Sequence, residues 1–215
     1  MNVEEFHNRL NELYKPPSDG FAFVNIPEIR YMAISGHEAP EQSRILEAAK
    51  WLFAIAHLVK PDIRKRMGKN FVEPPMECLF WADDRADFAQ GRREKWKWKV
   101  MVVLVDWVSD QRFEEALTEL EAKWESVLEP RPEITVLQEG RSVQRMHVGD
   151  YAGVSTLCDE LYSHFLPENE LLVGHSYTLL VLDSTRRSVA SFVVQEEEDL
   201  IVPDAISDVS ISSSG

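Results

Sequence analysis

The sequence predicts an α+β fold in which a β-β-α-β-β unit occurs twice, with antiparallel sheets, helices packed on one side and a central ligand cleft. The first observation is the order of patterns. Two strand-like segments, a helical stripe and two more strand-like segments precede a linking helix, and the same five-part order then returns. The second is a weak internal similarity, because residues 31–36 resemble residues 144–149 and each segment precedes a turn and then a helix. Two such units can pair their sheets under a common set of helices, and the cleft between them is the natural binding site.

The first unit follows a short amphipathic helix over residues 1–15, which two prolines end and which we expect to cover one edge of the domain. A helix over residues 41–59 is predicted from its apolar stripe, with Pro61 just past its end. The basic stretch 60–75 that follows is predicted to be a solvated loop. The predicted strands of this unit are 21–26, 30–35, 76–81 and the stretch around 94–100.

The linking helix is predicted over residues 109–128, with Ser109 as its N-cap. In the second unit the predicted elements are strands over 134–138 and 141–148, a helix over 154–165, and strands over 177–182 and 189–194. One ligand-binding domain is therefore expected over residues 1–195, with pseudo-repeats at about 20–108 and 133–195. Residues 196–215 form an acidic, serine-rich tail that we expect to be disordered.

Composition limits the possible partners. The chain has 215 residues and a formal net charge of -14, so its surface is expected to repel phosphate backbones and anionic membranes. It contains no apolar run of about 18 residues, and its first residues lack the pattern of a signal peptide. Two distant cysteines indicate free thiols in a reducing compartment. We therefore expect a cytoplasmic protein that binds neither nucleic acid nor membranes; its oligomeric state is not predicted.

The most informative stretch is residues 94–99, where lysine and tryptophan alternate with the period of a half-buried strand. One face of that strand carries the tryptophans, and the other carries Lys95, Lys97 and Lys99, which are expected to face solvent. In the strand upstream, Glu77 shares a face with Trp81. If the two strands present these faces to one side, a carboxylate lies among indoles, which is typical of a ligand pocket. The residues predicted to line this shared cavity are Glu77, Trp81, Trp96 and Trp98. The alternative is that the tryptophans fill a core and Glu77 lies at a wet edge.

Glu77 carries the candidate chemistry. A carboxyl group flanked by apolar side chains is partly desolvated, which raises its pKa, and it could pair with a cation or act as a general acid or base. The three tryptophans could stack on a flat ligand or hold a cation, with core packing as the alternative. Tyr151 follows a glycine turn, from which its hydroxyl could reach the cleft; the alternative is a contact at a helix N-terminus.

On its strand, Met146 alternates with His147, and we expect Met146 to face the pocket because a thioether suits a pliable apolar wall. Cys78 has the opposite parity to Glu77, so it is expected to pack under the sheet. The remaining histidines show no metal-ligand spacing, and the sequence has no glycine-rich phosphate loop and no nucleophile elbow. We therefore predict no metal and no cofactor.

Several of these motifs together resemble those of GyrI-like proteins, the small-molecule-binding fold that also forms the effector domain of multidrug-responsive transcription regulators. The resemblance covers roughly residues 5–190 and is strongest to the stand-alone bacterial and fungal members. The Trp-Ala-Asp-Asp and Glu-Lys-Trp-Lys-Trp elements in combination are the most specific part of it. The segments that carry it are residues 24–27, 32–36, 75–84, 94–98 and 143–151.

The resemblance implies a central pocket lined by aromatic residues, with a buried acid. Regulators of this fold bind lipophilic cations there, and some stand-alone members are hydrolases that open the strained cyclopropane of DNA-alkylating natural products. Those members commonly carry a glutamate and a tyrosine in the strand before an Asp-Pro-Arg-Arg turn, where this sequence has Thr178 and Leu180. The departure argues against hydrolase activity. No segment resembles a helix-turn-helix, which argues against a complete regulator.

Three interpretations follow. The first is a protein that binds lipophilic aromatic or cationic small molecules for toxin sequestration or resistance. Its predicted ligand-binding residues are Glu77, Trp81, Trp96, Trp98, Met146 and Tyr151. The second is a cyclopropane-opening hydrolase in which Glu77 and Tyr151 activate water. The third, and weakest, is an interaction subunit whose acidic surface meets a basic protein.

Overall fold

The computed structural model of the protein describes residues 3–17, 19–68, 71–84, 87, 92–148, 154–181 and 187–196. The first unit contains β1 (Ala22–Ile26), β2 (Ile29–Gly36), α2 (Gln42–Met67), β3 (Met76–Trp81) and β4 (Lys97–Val103), preceded by α1 (Val3–Tyr14). A linking helix, α3 (Asp110–Trp124), leads to the second unit. That unit contains β5 (Glu133–Leu137), β6 (Gly140–Val148), α4 (Val154–Glu160), β7 (Leu171–Val181) and β8 (Arg187–Glu196).

The strands form one eight-stranded antiparallel sheet in the order β1-β6-β8-β7-β3-β4-β2-β5. The order is symmetric. If β1, β2, β3 and β4 are exchanged with β5, β6, β7 and β8, the resulting order is the one read from the opposite edge of the sheet. The two units meet where β3 pairs with β7, and the first strand of each unit pairs with the second strand of the other. The predicted fold class, a duplicated β-β-α-β-β arrangement, is thus confirmed; the predicted domain boundaries remain a prediction.

Three helices pack on one face of the sheet and bury the main apolar core. In α2 the buried positions recur at helical spacing, and Trp51 meets Trp124 of α3 edge to face, with ring centroids 4.8 Å apart. Helix α4 adds Leu157 and Leu161 to the same core. It continues as a π-helical turn, Leu161–Phe165, and ends in one more helical turn, Leu166–Glu168.

Helix α2 is longer than the sequence predicts. It runs through Pro61 and ends at Met67, so the predicted solvated loop over residues 60–75 is wrong for its first half. The apolar stripe explains the continuation, because Ile63 and Met67 follow Val59 at four-residue intervals and are buried with it. A salt bridge of 2.7 Å between Arg112 of α3 and Asp62 also holds this last part of the helix.

The opposite face of the sheet is partly covered by α1. Leu13 and Tyr14 at the end of this helix pack on Ile26 of β1 and Val189 of β8, with Met146 of β6 beside them. The helix is amphipathic, and its apolar stripe continues at Phe6 and Leu10, so burial of that stripe fixes the helix against the sheet. The sheet is thus a layer between three helices on one side and one short helix on the other.

The register between β3 and β4 corrects one sequence expectation. Trp98 pairs with Phe80, and Glu77 pairs with Met101. Paired residues share a face, so Trp98 lies with Phe80 in the core under α2, on the opposite side of the sheet from Glu77. The prediction that Trp98 and Glu77 line one cavity is therefore wrong, because the alternation within each strand did not fix the pairing between them.

Gly36 is the backbone position that accommodates the Trp98 indole. The two residues are paired across β2 and β4, and a Cβ placed on Gly36 would lie 2.1 Å from Cε2 of Trp98. The ring is 1% exposed and has no room to move away without displacing core side chains.

We predict that Gly36→Ala lowers the free energy of unfolding by about 1–3 kcal/mol, the usual cost of overpacking a core. Urea unfolding followed by tryptophan fluorescence measures it. Ser35→Ala, at the half-buried neighbouring position on the other face, is the control and should change stability by less than about 0.5 kcal/mol. A Gly36→Ala protein as stable as the control would show that the indole is loosely packed.

Candidate functional site

The carboxyl group of Glu77 lies at the centre of the sheet, on the face that α1 covers. It is 3% exposed. The Tyr14 hydroxyl donates a hydrogen bond of 2.6 Å to Oε1, and the Tyr31 hydroxyl donates a longer one of 3.3 Å to Oε2. Three separate elements, α1, β2 and β3, therefore converge on one buried acid.

Helical spacing and strand register explain this convergence. Tyr14 follows Leu10 by four residues, so it extends the buried stripe of α1 down to the sheet. Across β3, β4 and β2, Glu77 pairs with Met101 and Met101 pairs with Ala33. Tyr31 is two residues from Ala33 and therefore on the same face, and the small Ala33 side chain leaves space for the tyrosine to reach the acid.

The pKa of Glu77 is raised to about 8, mainly by burial and also by the nearby Glu139 carboxylate, while the hydrogen bonds from Tyr14 and Tyr31 oppose the rise. Burial also raises the pKa of both tyrosines well above the ordinary value, and the charge of Glu77 adds to this. The hydroxyls therefore remain protonated and act as donors. At neutral pH the carboxyl is largely uncharged, and no cation from the described ranges contributes to its pKa.

Such an arrangement has two chemical capacities. A buried carboxyl that ionises near neutrality can exchange its proton for a cation, and the two tyrosine hydroxyls then stabilise the carboxylate. The same group can give or take a proton as a general acid or base, because its pKa lies near the working pH.

A small pocket lies beside the site under α1. Leu10 and Leu13 of α1 form its roof, and Ile29 and Val103 lie on its floor. Val103 pairs with Tyr31, so the pocket is next to the tyrosine that contacts Glu77. Its water-accessible volume is about 30 Å³, far below the roughly 300 Å³ or more of a typical ligand pocket. A drug-sized molecule can reach Glu77 by this route only if α1 moves.

Of the residues predicted to bind a ligand, two lie on the face of Glu77. Trp81 is half-buried four residues further along β3, about 13 Å from Glu77 along the strand. Met146 packs against the cluster that contains Tyr14, whereas His147 alternates to the other face.

The other tryptophan and the lysines are placed differently from expectation. Trp96 is buried in the core on the helix side, with its ring centroid 6.2 Å from that of Phe80, so it does not share a cavity with Glu77.

Lys97 and Lys99 alternate with Trp98 and extend on the Glu77 side, with side-chain exposures of 25% and 15%. They form salt bridges with Asp83 and Glu133, at 2.6 and 3.6 Å. The expectation that they face open solvent is wrong, whereas Lys95 in the turn before β4 is exposed. Tyr151 lies outside the described residues.

Sequence reasoning missed Tyr14 and Tyr31. Tyr14 is 63 residues and Tyr31 is 46 residues from Glu77 in the chain, so no local motif joins them. A signal was present in each case. Tyr14 continues the apolar spacing of α1, and Tyr31 is a large polar-tipped side chain directly before the apolar run 32–34.

Metal-binding groups, reactive cysteines and membrane-spanning helices are other features that could indicate a function. In the described ranges, no group of three or more His, Cys, Asp and Glu side chains could hold a metal ion. Both cysteines are free thiols, and Cys78 is buried on the helix side, where burial raises its pKa to about 12. Its predicted position under the sheet is confirmed. None of the described helices is long and apolar enough to span a bilayer.

Comparison with known proteins identifies the fold. The structure superposes on an uncharacterized conserved protein from Listeria innocua with a TM-score of 0.73 and 21% sequence identity, over 88% of this chain and 98% of that one. A hydrolase from the same organism gives a TM-score of 0.71 and 22% identity over the same shares of the two chains. The C-terminal domain of EcmrR gives 0.50 and 12%, over 82% of this chain and 98% of that domain.

The chain has a GyrI-like fold. The resemblance read from its sequence motifs is supported at the level of fold. The sequence itself matches no protein-family model and no curated protein. At these identities the likeness concerns architecture, so the function has to be argued from the Glu77 site.

The raised pKa of Glu77 predicts how stability depends on pH. In the unfolded chain this group has a pKa of about 4.5, and in the folded protein about 8, so the folded state holds a proton that the unfolded state releases between these values. The contribution of Glu77 is therefore most favourable below pH 4.5 and is lost as the pH rises through 8.

We expect the free energy of unfolding of the wild type, relative to Glu77→Gln, to fall across this window by at most about 1.4 kcal/mol per pH unit. Denaturant unfolding at several pH values measures the difference, and other titrating groups cancel between the two proteins. Glu12→Gln, on the exposed side of α1, is the control for a carboxyl-to-amide change outside the buried site. A constant difference between wild type and Glu77→Gln would mean that Glu77 ionises normally.

Proposed function

We propose that this protein binds a lipophilic cationic small molecule, with an aromatic or otherwise apolar body, at Glu77 beneath α1. The observation that carries the proposal is a buried carboxyl with a pKa of about 8, contacted by two tyrosine hydroxyls and by no cation of the described residues. A buried carboxylate is costly unless a positive charge and hydrogen bonds accompany it. Here the hydrogen bonds are already present, and the ligand would supply the positive charge.

The binding step is an exchange of charges. The cation approaches the neutral acid, the proton of Glu77 leaves to solvent, and the carboxylate pairs with the ligand while Tyr31 on β2 continues to donate. The Tyr31 ring adds aromatic surface for a cation. The apolar body of the ligand would contact Met101, which is 1% exposed and pairs with Glu77, and Met146 in the neighbouring cluster.

Entry requires displacement of α1. The pocket under this helix has room for roughly one water molecule, so the ligand takes space that Leu13 and Tyr14 now fill. Helix α1 is a short helix and is joined to β1 through Pro16, Pro17 and Gly20, and Gly20 has a left-handed φ of 76° that suits a turn. We propose that α1 is a lid and that Trp81 and Tyr151 extend the ligand-contacting surface.

The biological use that fits this site is sequestration of a toxic compound. The resemblance to GyrI-like proteins, whose regulator members bind lipophilic cations, supports this class of ligand.

The test compares the binding of two compounds that have the same shape, one of them cationic and the other neutral. We expect Glu77→Gln to weaken a phenyl-bearing quaternary ammonium ion by about tenfold to a hundredfold, because a charge-assisted contact contributes roughly 1.5–3 kcal/mol. Its neutral isostere, with carbon in place of the ammonium nitrogen, should be much less affected. For the wild type, affinity for the cation should rise about tenfold per pH unit below pH 8 and level off above it, because the proton competes with the ligand.

Isothermal titration calorimetry with both compounds measures these affinities, and Glu12→Gln serves as the matched control. If the substitution lowered the affinity for the cation and for the neutral compound equally, Glu77 would affect binding only by supporting the folded structure.

A second candidate function is hydrolysis of a strained electrophile. The observation that favours it is the pKa of Glu77, which suits a general acid or base, together with two tyrosine donors within hydrogen-bond distance. Two structural neighbours from Listeria innocua are named hydrolases. Against it, the glutamate and tyrosine that the resemblance implies on β7 are replaced by Thr178 and Leu180.

We expect little ring opening when the wild type is incubated with a cyclopropane-bearing alkylator, and we expect the compound to be recovered intact from the complex. Mass spectrometry of the products over time measures this. Fast ring opening that Glu77→Gln abolishes would place the hydrolase function ahead of simple binding.

A further inference from the structure

A second group of buried polar side chains lies on the same face of the sheet as Glu77. It consists of Ser142 and Gln144 on β6 and Ser191 on β8, which are 0%, 3% and 2% exposed. In the described part of the chain, these three and Glu77 are the buried charged, amide or hydroxyl-bearing side chains other than tyrosine. The helix-covered face shows none of this kind among the described residues. Among the described residues, buried carboxyl, amide and aliphatic hydroxyl side chains therefore lie on one side of the sheet, whereas the helix side buries polar atoms of Trp98, Arg145 and Tyr162.

The hydrogen bonds within this group are long. Nε2 of Gln144 donates to Oγ of Ser191 at 3.5 Å, and Oγ of Ser142 donates to the carbonyl of Gly140 at 3.4 Å. A carboxamide offers two donors and an acceptor with two lone pairs, so Gln144 can form more and better hydrogen bonds than this one. Burial of such a group is costly unless it finds a good partner.

The strand register connects this group to Glu77. Glu77 pairs with Leu180, Leu180 with Val189, and Val189 with Met146. Gln144 and Ser191 stand in the next row of the same face, two residues further along their strands. With strands about 4.8 Å apart and a rise of about 3.4 Å per residue, Ser191 is roughly 12 Å from Glu77.

The surface between the two polar positions is apolar. Val189 and Met146 form its floor, and Leu13 and Tyr14 of α1 lie on it. When α1 is displaced, the face offers an acid at one end, an apolar middle and an amide with a hydroxyl at the other end. The charged neighbour Arg145 does not join it, because it alternates to the other face and forms a salt bridge with Glu160.

We propose that Gln144 and Ser191 form a second subsite for the ligand of Glu77, one that recognises an uncharged hydrogen-bonding group such as an amide. The ligand class is thus an elongated amphiphile, with a cationic group separated from a neutral polar group by an apolar body of roughly 12 Å. This inference rests on the proposed function. Glu77 binds the cationic end of the ligand, and the second subsite binds the other end of the same molecule.

The test uses two trimethylammonium ions that carry the same decyl chain, one ending in a primary amide and the other in a methyl group. Affinities for both are measured by calorimetry with the wild type, with Gln144→Met, which keeps the length of the side chain but loses its hydrogen bonds, and with Ser191→Ala. We expect Gln144→Met to lower the ratio of amide-ended to methyl-ended affinity by roughly tenfold. Ser191→Ala should lower it in the same direction, and it provides the measurement if Gln144→Met does not fold.

The controls separate this inference from the proposed function. Glu77→Gln should weaken both compounds alike and leave the ratio unchanged. If both compounds bind the wild type in a Glu77-dependent way and the ratio is the same in all variants, the second subsite is wrong while the cation site stands. If neither compound binds the wild type, the proposed function fails and the second subsite fails with it.

Discussion

The hydrogen bond from Tyr14 to Glu77 is the contact on which the organisation of this site depends. It joins a helix at the start of the chain to the central strand of the sheet at 2.6 Å, and it lies in a setting from which water is excluded. Without it, the carboxyl would have only the longer bond from Tyr31, and α1 would be held by apolar contacts and by the hydrogen bond of 3.3 Å from Arg9 to the carbonyl of Glu28. Burial of an acid is costly, and the tyrosines reduce that cost without removing it. The buried carboxyl is therefore tolerated in the folded protein, and its ionised form would be stabilised further by a nearby positive charge.

The two faces of the sheet differ in how tightly their side chains are packed and covered. On the helix side, large apolar side chains such as Trp98, Phe80 and Phe192 are fully buried and pack under three helices. On the other side, a single helix of twelve residues, α1, covers Glu77 together with Ile26 and Val189. Fewer apolar contacts hold that helix, so its local opening requires less free energy than unfolding of the core. A ligand site under a lid suits this arrangement.

Much of the fold could be predicted from the sequence, because it depends on periodicity and on the order of elements. The order of strands and helices, the linking helix after Ser109 and the helix at the start of the chain all follow from local patterns. Helix α2 was predicted too short, because Pro61 is a strong local stop signal that the stripe through Ile63 and Met67 overrides.

Less of the site could be predicted. Glu77 is recognisable as an acid in an apolar strand, and Met146 is favoured over its neighbour His147 because a thioether suits an apolar wall. The face of Trp98 could not be predicted, because alternation tells which residues of one strand share a side and not how two strands are aligned. Tyr14 and Tyr31 come from elements distant in the chain, and only the folded sheet brings them to the acid.

The pairing of each unit's first strand with the other unit has a consequence for cooperativity and for ancestry. Strand β1 finds its partner in β6, and β5 finds its partner in β2. Half of the molecule on its own would leave one strand without a neighbour and both edges of the remaining three-stranded sheet exposed, which is a state prone to association. The two halves must therefore fold together, and the same exchange would let two copies of a single ancestral half complete one another as a domain-swapped dimer before fusion made the exchange intramolecular.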